Sequence, residues 1–216
     1  MGKLNDGIFG GFSGRVGRVV GYNIGGEDMI RKLPRKNPNR EVTDKQREQR
    51  EKFSLVMSYL LPIKEVVGAY FSHRIVAKSR FNLAVGYNLK NAVIQDEDNL
   101  FDLDFNKLLI SKGDLRGIQD GAVQPQPDQV LQMSWTDNSG QGSAAATDLI
   151  VAVVYALEQD LYHMFNPAPA TRGEGSVALT LPAFFSGQEV HVWATMVSEN
   201  KRVSANSSYL GQVTVN

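Results

Sequence analysis

Three histidines, two acidic clusters, a glycine-rich opening and a basic run are the parts of this 216-residue chain whose types and spacing could do chemistry. His73, His163 and His191 could serve as general bases or metal ligands, yet they are widely separated and none stands in HExxH or a comparable ligand spacing. His191 alternates with Val190 and Val192, which predicts that it projects from the exposed face of a strand. Asp96, Glu97 and Asp98, with Asp102 and Asp104 beyond them, offer oxygen ligands for calcium but lack the EF-hand order of ligands and glycine, and they read as solvated negative surface. "GRVGRVVG" spaces its glycines as GxxGxxxG, unlike the GxGxxG or GxxxxGKS/T phosphate loops, and it leads into a strand rather than from a strand to a helix. "GFSG" likewise lacks the GxSxG spacing of a nucleophile elbow. The residues therefore point to no catalytic group, no metal ligand set and no cofactor, and the chain is expected not to be an enzyme.

The basic run has more to offer. Arg15, Arg18, Arg31, Lys32, Arg35, Lys36 and Arg40 would line one strip if the opening folds as a hairpin, and such a strip could bind a polyanion through its phosphates or meet an acidic protein surface. Tyr22 is the only tyrosine nearby, which is little for base stacking. Farther on, Lys45, Arg47, Arg50 and Lys52 interleave with Asp44, Glu48 and Glu51, the pattern of a solvated helix. Gly10, Gly11, Gly14, Gly17 and Gly21 would let another backbone approach closely, and they are the expected assembly interface. The formal charge is zero, but residues 1–90 carry 17 basic and 8 acidic groups while residues 91–216 carry 6 and 15. Two such ends suit head-to-tail contact between copies, and they also suit two differently solvated surfaces.

The elements that must position these residues change character along the chain. Val16, Val20, Tyr22 and Ile24 recur at even positions and predict one strand, "GGED" a turn, and Met29–Leu33 the return of a β-hairpin. Thr43 and Gln46 have capping-box spacing before a helix carrying Phe53, Val56, Met57, Leu60 and Leu61. Pro62 should divide that helix, with Ile63–Phe71 continuing, and Ser79 should cap another whose apolar face holds Phe81, Ala84, Val85, Leu89, Ala92 and Val93. Phe101, Leu103 and Phe105 resume strand alternation, Leu108–Ile110 reads as a further strand, and "QPQPD" as a connector. From Val130 onward six short apolar runs are separated by glycine, proline, serine and asparagine, and the intervals lack crossover helices. The expected fold is α+β: an N-terminal β-hairpin and helices over residues 1–123, then an antiparallel immunoglobulin- or fibronectin type III-like β-sandwich over 124–216. No internal repeat is present.

With no cysteine there is no disulfide, thiolate metal site or cysteine nucleophile. No apolar run approaches a membrane span, and the first residues lack the apolar core of a secretory signal, so cytoplasmic synthesis without membrane insertion is expected.

"GIFGGFSGRVGRVVG", "FNLAVGYNLKNAV", "SWTDNSGQG" and "SENKRVSANSSYLGQVTV" together resemble a family of uncharacterised Bacteroidota proteins that carry a domain of unknown function. The "P…NP…T…Q…R" pattern from Pro34 to Arg50 is similar to N-terminal regions of some phage and prophage structural proteins. That likeness, the missing chemistry and the expected sandwich imply a structural or assembly protein of a virion or phage-derived particle, joined to copies of itself or to other particle proteins. Two alternatives stay open: a carbohydrate- or protein-binding adhesion module, and a polyanion- or nucleic-acid-binding protein.

Overall fold

A computed structural model of the chain describes residues 3–4, 10–34, 41–72, 78–96 and 100–216. Four strands, β1 (Lys3–Leu4), β2 (Phe12–Val16), β3 (Val19–Ile24) and β4 (Glu27–Lys32), form an antiparallel sheet in that order. The expected β3–β4 hairpin is present, closed by Gly25 and Gly26, whose φ angles of 63° and 97° allow a tight two-residue turn. The single strand read from Val16 to Ile24 is instead two. Gly17, at φ 58°, starts a second tight turn between Val16 and Val19, so the period-2 count ran through a reversal and Val16 faces away from Val20.

Three helices follow: α1 (Asp44–Leu60), α2 (Lys64–Tyr70) and α3 (Arg80–Asn91). Helix α1 stops before Pro62, as its missing amide donor requires. The Thr43 side chain makes no capping bond; its carbonyl accepts from the Gln46 amide instead. Ser79 does cap α3, its hydroxyl accepting from the Asn82 amide at 3.2 Å. Phe53 and Leu61, expected on the apolar face of α1, are about half exposed, while Tyr59 is buried with Val56 and Leu60.

A two-stranded ribbon of β5 (Val93–Gln95) and β6 (Phe101–Leu103) leads to residues 108–115. Leu108–Ile110 is no strand. Leu108 and Ile110 are buried, and the Leu109 peptide between them is clamped by the Asn88 side chain, whose Oδ1 accepts from Leu109 N at 3.0 Å and whose Nδ2 donates to Leu109 O at 2.9 Å. Side-chain partners thus satisfy a backbone that the alternation suggested a ladder would satisfy.

Two sheets make up the rest. β7 (Gln119–Gln126), β8 (Val130–Thr136) and β11 (Ser176–Thr180) form one in the order β11-β8-β7; β9 (Leu149–Ala156), β10 (Leu161–Phe165), β12 (Glu189–Val197) and β13 (Ser208–Thr214) form the other in the order β10-β9-β12-β13. The fold is α+β, mostly antiparallel and sandwich-like. "QPQPD", expected as a connector, ends strand β7, where Pro125 pairs with Leu131; β7 lies at the edge of its sheet, a position that tolerates proline.

Residue parity in β9 and β12 divides the core in two. Ile150, Ala152, Val154, Val190, Val192, Ala194 and Met196 face the other sheet, packing with Leu131, Met133 and Leu179. Val151, Val153, Tyr155, Trp193 and Val197 face the opposite way, against Val56, Tyr59 and Leu60 of α1, Val66 and Val67 of α2, and Ala84 and Val85 of α3. The helices therefore form a third layer on the outer face of the four-stranded sheet. The boundary expected between residues 123 and 124 falls inside β7, and the second core holds side chains from both sides of it. Among the described residues, no helix is long and apolar enough to cross a membrane.

Candidate functional site

The N-terminal sheet carries the basic and glycine residues singled out by their spacing. Its register puts Arg15, Val20 and Arg31 in one row across β2, β3 and β4, so the two arginines share a face. Arg31 sits over the Tyr22 ring at 5.4 Å, and Arg15 Nε donates to Gly17 O at 3.2 Å across the turn. Lys32 pairs with Val19 on the opposite face, and Arg18 occupies the turn, its carbonyl accepting from Leu33 N at 2.8 Å. The expected single basic strip is thus divided between two faces and a turn, because successive strand residues alternate sides. Arg35, Lys36 and Arg40 lie outside the described residues.

Two of the glycines admit parts of their own chain. A Cβ on Gly21 would strike the Phe12 carbonyl oxygen and meet the Phe12 ring at 2.8 Å; the ring covers the glycine across the strand pair. A Cβ on Gly11 would meet the Asp28 carboxylate. Gly14 has a φ of 101°, which glycine alone adopts easily, Gly17 serves the turn, and Gly10 is half-buried at a bend before β2. The sheet surface is notable for what it leaves uncovered: Ile30 is 67% exposed, Val16 51%, and Ile24 and Met29 44% each. None of the sheet's described residues belongs to either core.

A second candidate lies at the loop end of the sandwich, organised by Arg172. This arginine is wholly buried in the loop after β10 and spends its guanidinium on four acceptors. Nε donates to Asp148 Oδ2 at 3.0 Å, Nη1 to Asn138 Oδ1 and to Gly117 O at 3.3 Å, and Nη2 to Arg116 O at 2.7 Å. The Arg172 carbonyl accepts from Trp135 Nε1 at 2.8 Å, and Asp148 Oδ2 also accepts from Ala145 N at 2.9 Å. One side chain thereby ties the 114–118, 137–148 and 171–175 loops together. Beside it opens a cleft of about 600 Å³ bordered by Leu115, Ser143, Thr147, Ser198, Glu199 and Asn200. Its polar groups suit hydrogen bonding to a hydroxylated or peptide ligand. Ser198 Oγ donates to Asn200 Oδ1 at 2.9 Å and accepts from Val203 N at 3.0 Å. Nothing in periodicity marked Arg172, a lone charge between turns; "SWTDNSGQG" marked its surroundings only through family resemblance.

The histidines do not converge. His191 is 5% exposed, not on a solvent face, because Phe105 from the turn after β6 and the strand residues Tyr155 and Tyr209 cover it. It lies 4.4 Å from the Phe105 ring, and its Nδ1 is 2.7 Å from the Tyr209 hydroxyl. Burial lowers its pKa below the usual imidazole value, with Glu189 opposing the shift. Burial lowers that of His163 as well. His191 joins a nest of Tyr59, Phe105, Tyr155, Tyr162, Trp193 and Tyr209, in which burial raises the pKa of Tyr59 and Tyr162. Phenols that hold their protons beside a neutral imidazole make a packed aromatic core rather than an acid–base pair. His73 lies outside the described residues.

Of the acidic residues, Asp96 and Asp104 hold turns, while Glu97 and Asp98 lie outside the described residues. Asp104 pairs with Lys107 at 2.8 Å, a bond that lowers its pKa, and Asp96 accepts from Leu100 N at 2.8 Å. Among the described residues, no cluster of three or more histidine or acidic side chains is placed to hold a metal ion.

Residues 11–211 match a family described as a family of unknown function (DUF6266). Comparison with curated proteins gives no match.

Proposed function

The chain belongs to this family of unknown function; we propose that it is a non-enzymatic structural or assembly protein of a virion or phage-derived particle. One observation carries the reading. The N-terminal sheet exposes Ile30, Val16, Ile24 and Met29 and packs in neither core. A small sheet with both faces wet is marginal by itself, so a protein partner that covers it supplies the missing burial. The partners are copies of this chain or other particle proteins. The glycine-rich opening "GGFSGRVGRVVG" and the phage-like pattern from Pro34 to Arg50 favour the same setting. The three-layered body, with an immunoglobulin- or fibronectin type III-like sandwich, is then the block that the N-terminal sheet joins.

Sedimentation of the full chain across a concentration series, beside a chain beginning at Thr43, tests this. Association of the full chain, lost when the sheet is removed, is expected. A full-length monomer at every concentration, absent also from purified native particles, would refute the proposal.

The loop-end cleft favours a second reading, an adhesion module for carbohydrate or protein, because Arg172 holds three loops rigidly around hydroxyl, amide and carboxylate groups. A glycan array probed with the full chain, with no binding above background, would remove it.

A further inference from the structure

Strand β4 is an edge of the N-terminal sheet, and all six of its residues are exposed. Its sequence, Glu-Asp-Met-Ile-Arg-Lys, is acidic at one end, basic at the other and apolar between. The direction of its free backbone groups follows from its pairing. Ile24 and Glu27 close a two-residue turn, and Leu33 N donates to Arg18 O at 2.8 Å, so the odd-numbered residues of β4 turn their amides and carbonyls toward β3. Asp28, Ile30 and Lys32 therefore present theirs to the open edge.

Resting on the assembly reading above, we infer that β4 pairs antiparallel with β4 of a second copy, about a two-fold axis midway between the two Ile30 residues. An axis perpendicular to the sheet keeps each face continuous, so directly opposed residues must share parity. Centred on Ile30, the pairing sets Ile30 against the partner's Ile30 and Asp28 against the partner's Lys32, twice by symmetry. All three are positions with outward backbone hydrogen bonds. Met29 falls opposite the stem of the partner's Arg31. The most exposed large aliphatic residue of the sheet is thereby placed at the centre of an eight-stranded sheet, flanked by two ion pairs. A parallel pairing in matching register would set like charges together, which favours a second copy in the antiparallel sense. Within the single copy the Asp28 carboxylate lies inward, accepting from Asn23 Nδ2 at 3.0 Å and resting against Gly11, so it turns toward the open edge to meet the partner's lysine.

Charge exchange in the full chain tests the register. Asp28→Lys places lysine opposite lysine, and Lys32→Asp places aspartate opposite aspartate; each should raise the dimer dissociation constant on the order of tenfold or more. An equimolar mixture of the two variants should restore association, since every contact across the mixed pair is then complementary. Circular dichroism of each variant checks its fold. Because the chain has no cysteine, spin labels at Ile30→Cys and, separately, Ser13→Cys give a second measure. The labelled backbones should lie about 5 Å apart at residue 30 and roughly 24 Å apart at residue 13, five strand spacings across the joined sheet. Oligomers insensitive to both charge variants, or labels at 30 no closer than those at 13, would overturn the β4 pairing and leave assembly through another surface. A monomer throughout would overturn both.

Discussion

Replacing Arg172 by methionine tests whether one buried guanidinium holds the loop end of the sandwich together. The side chain is wholly buried, and Asp148 is 2% exposed. Methionine fills much the same volume but makes none of the four bonds to Asp148, Asn138, Gly117 and Arg116. The Asp148 carboxylate then keeps only the Ala145 amide, at 2.9 Å, while remaining buried and charged. Removing one member of a buried pair costs about 3–5 kcal/mol, most of it the stranded charge. In a chain of this size that corresponds to a fall in Tm of about 6–20 °C. Arg172→Lys should recover little, because one ammonium cannot reach acceptors spread around a planar fork. Arg172→Met with Asp148→Asn should lose less than Arg172→Met alone, since no charge is then left unpaired. Urea denaturation followed by tryptophan fluorescence measures all three, with an unchanged m-value certifying that the same unit unfolds. A loss below about 1 kcal/mol for Arg172→Met would refute the reasoning and show that the loops are held elsewhere.

Residues 126–216 expressed alone should give poorly dispersed amide resonances, because the cut removes most of β7 and uncovers Val151, Val153, Tyr155 and Trp193; a well-dispersed β spectrum would show that the sandwich needs no helical layer. Gly21→Ala should abolish association while the main thermal transition stays in place, since its Cβ would strike the Phe12 backbone and neither core is touched, whereas Gly17→Asn in the open turn should be tolerated. Burial holds His191 and His163 neutral in the folded chain, with pKa values below 6.5, so stability should be complete above that pH and decline as pH falls through it. His191→Phe should flatten the dependence in pH-resolved thermal melts without abolishing it, His163 remaining; an unchanged slope would exclude the His191 contribution. Tyr59→Phe should be neutral or stabilising by up to about 1 kcal/mol in urea titrations, because the buried hydroxyl has no hydrogen-bond partner among the described residues.

Local chemistry made much of this architecture legible in advance. Paired glycines at 25 and 26 can only be a tight turn, Pro62 must interrupt a helix, and Ser79 stands where a cap belongs, since each depends on the residue and its nearest neighbours. The six runs from Val130 onward became β8 to β13 for the same reason. Local reasoning fails where a neighbour distant in sequence decides. Leu108–Ile110 has the alternation of a strand, but Asn88 on α3 supplies the partner that keeps it out of a sheet. Register likewise brings Arg15 onto the face of Arg31, distant in sequence, and leaves Lys32 on the other.

The core arrangement shows the division most clearly. Apolar residues at consecutive positions of Leu149–Ala156 determine a strand whose two faces both leave water, a property of the side chains alone. Which layer covers each face is settled only when helices α1 to α3, from far earlier in the chain, close over Trp193 and its neighbours, and when Phe105, also distant in sequence, comes to lie on His191. Arg172 is the opposite case. Its type and spacing determine nothing, because its partners lie at Arg116, Gly117, Asn138 and Asp148, and only the meeting of three loops turns an ordinary loop arginine into a buried anchor. Short-range sterics and hydrophobic period are written along the chain; the burial of a charge or a polar ring depends on which distant segments arrive to surround it.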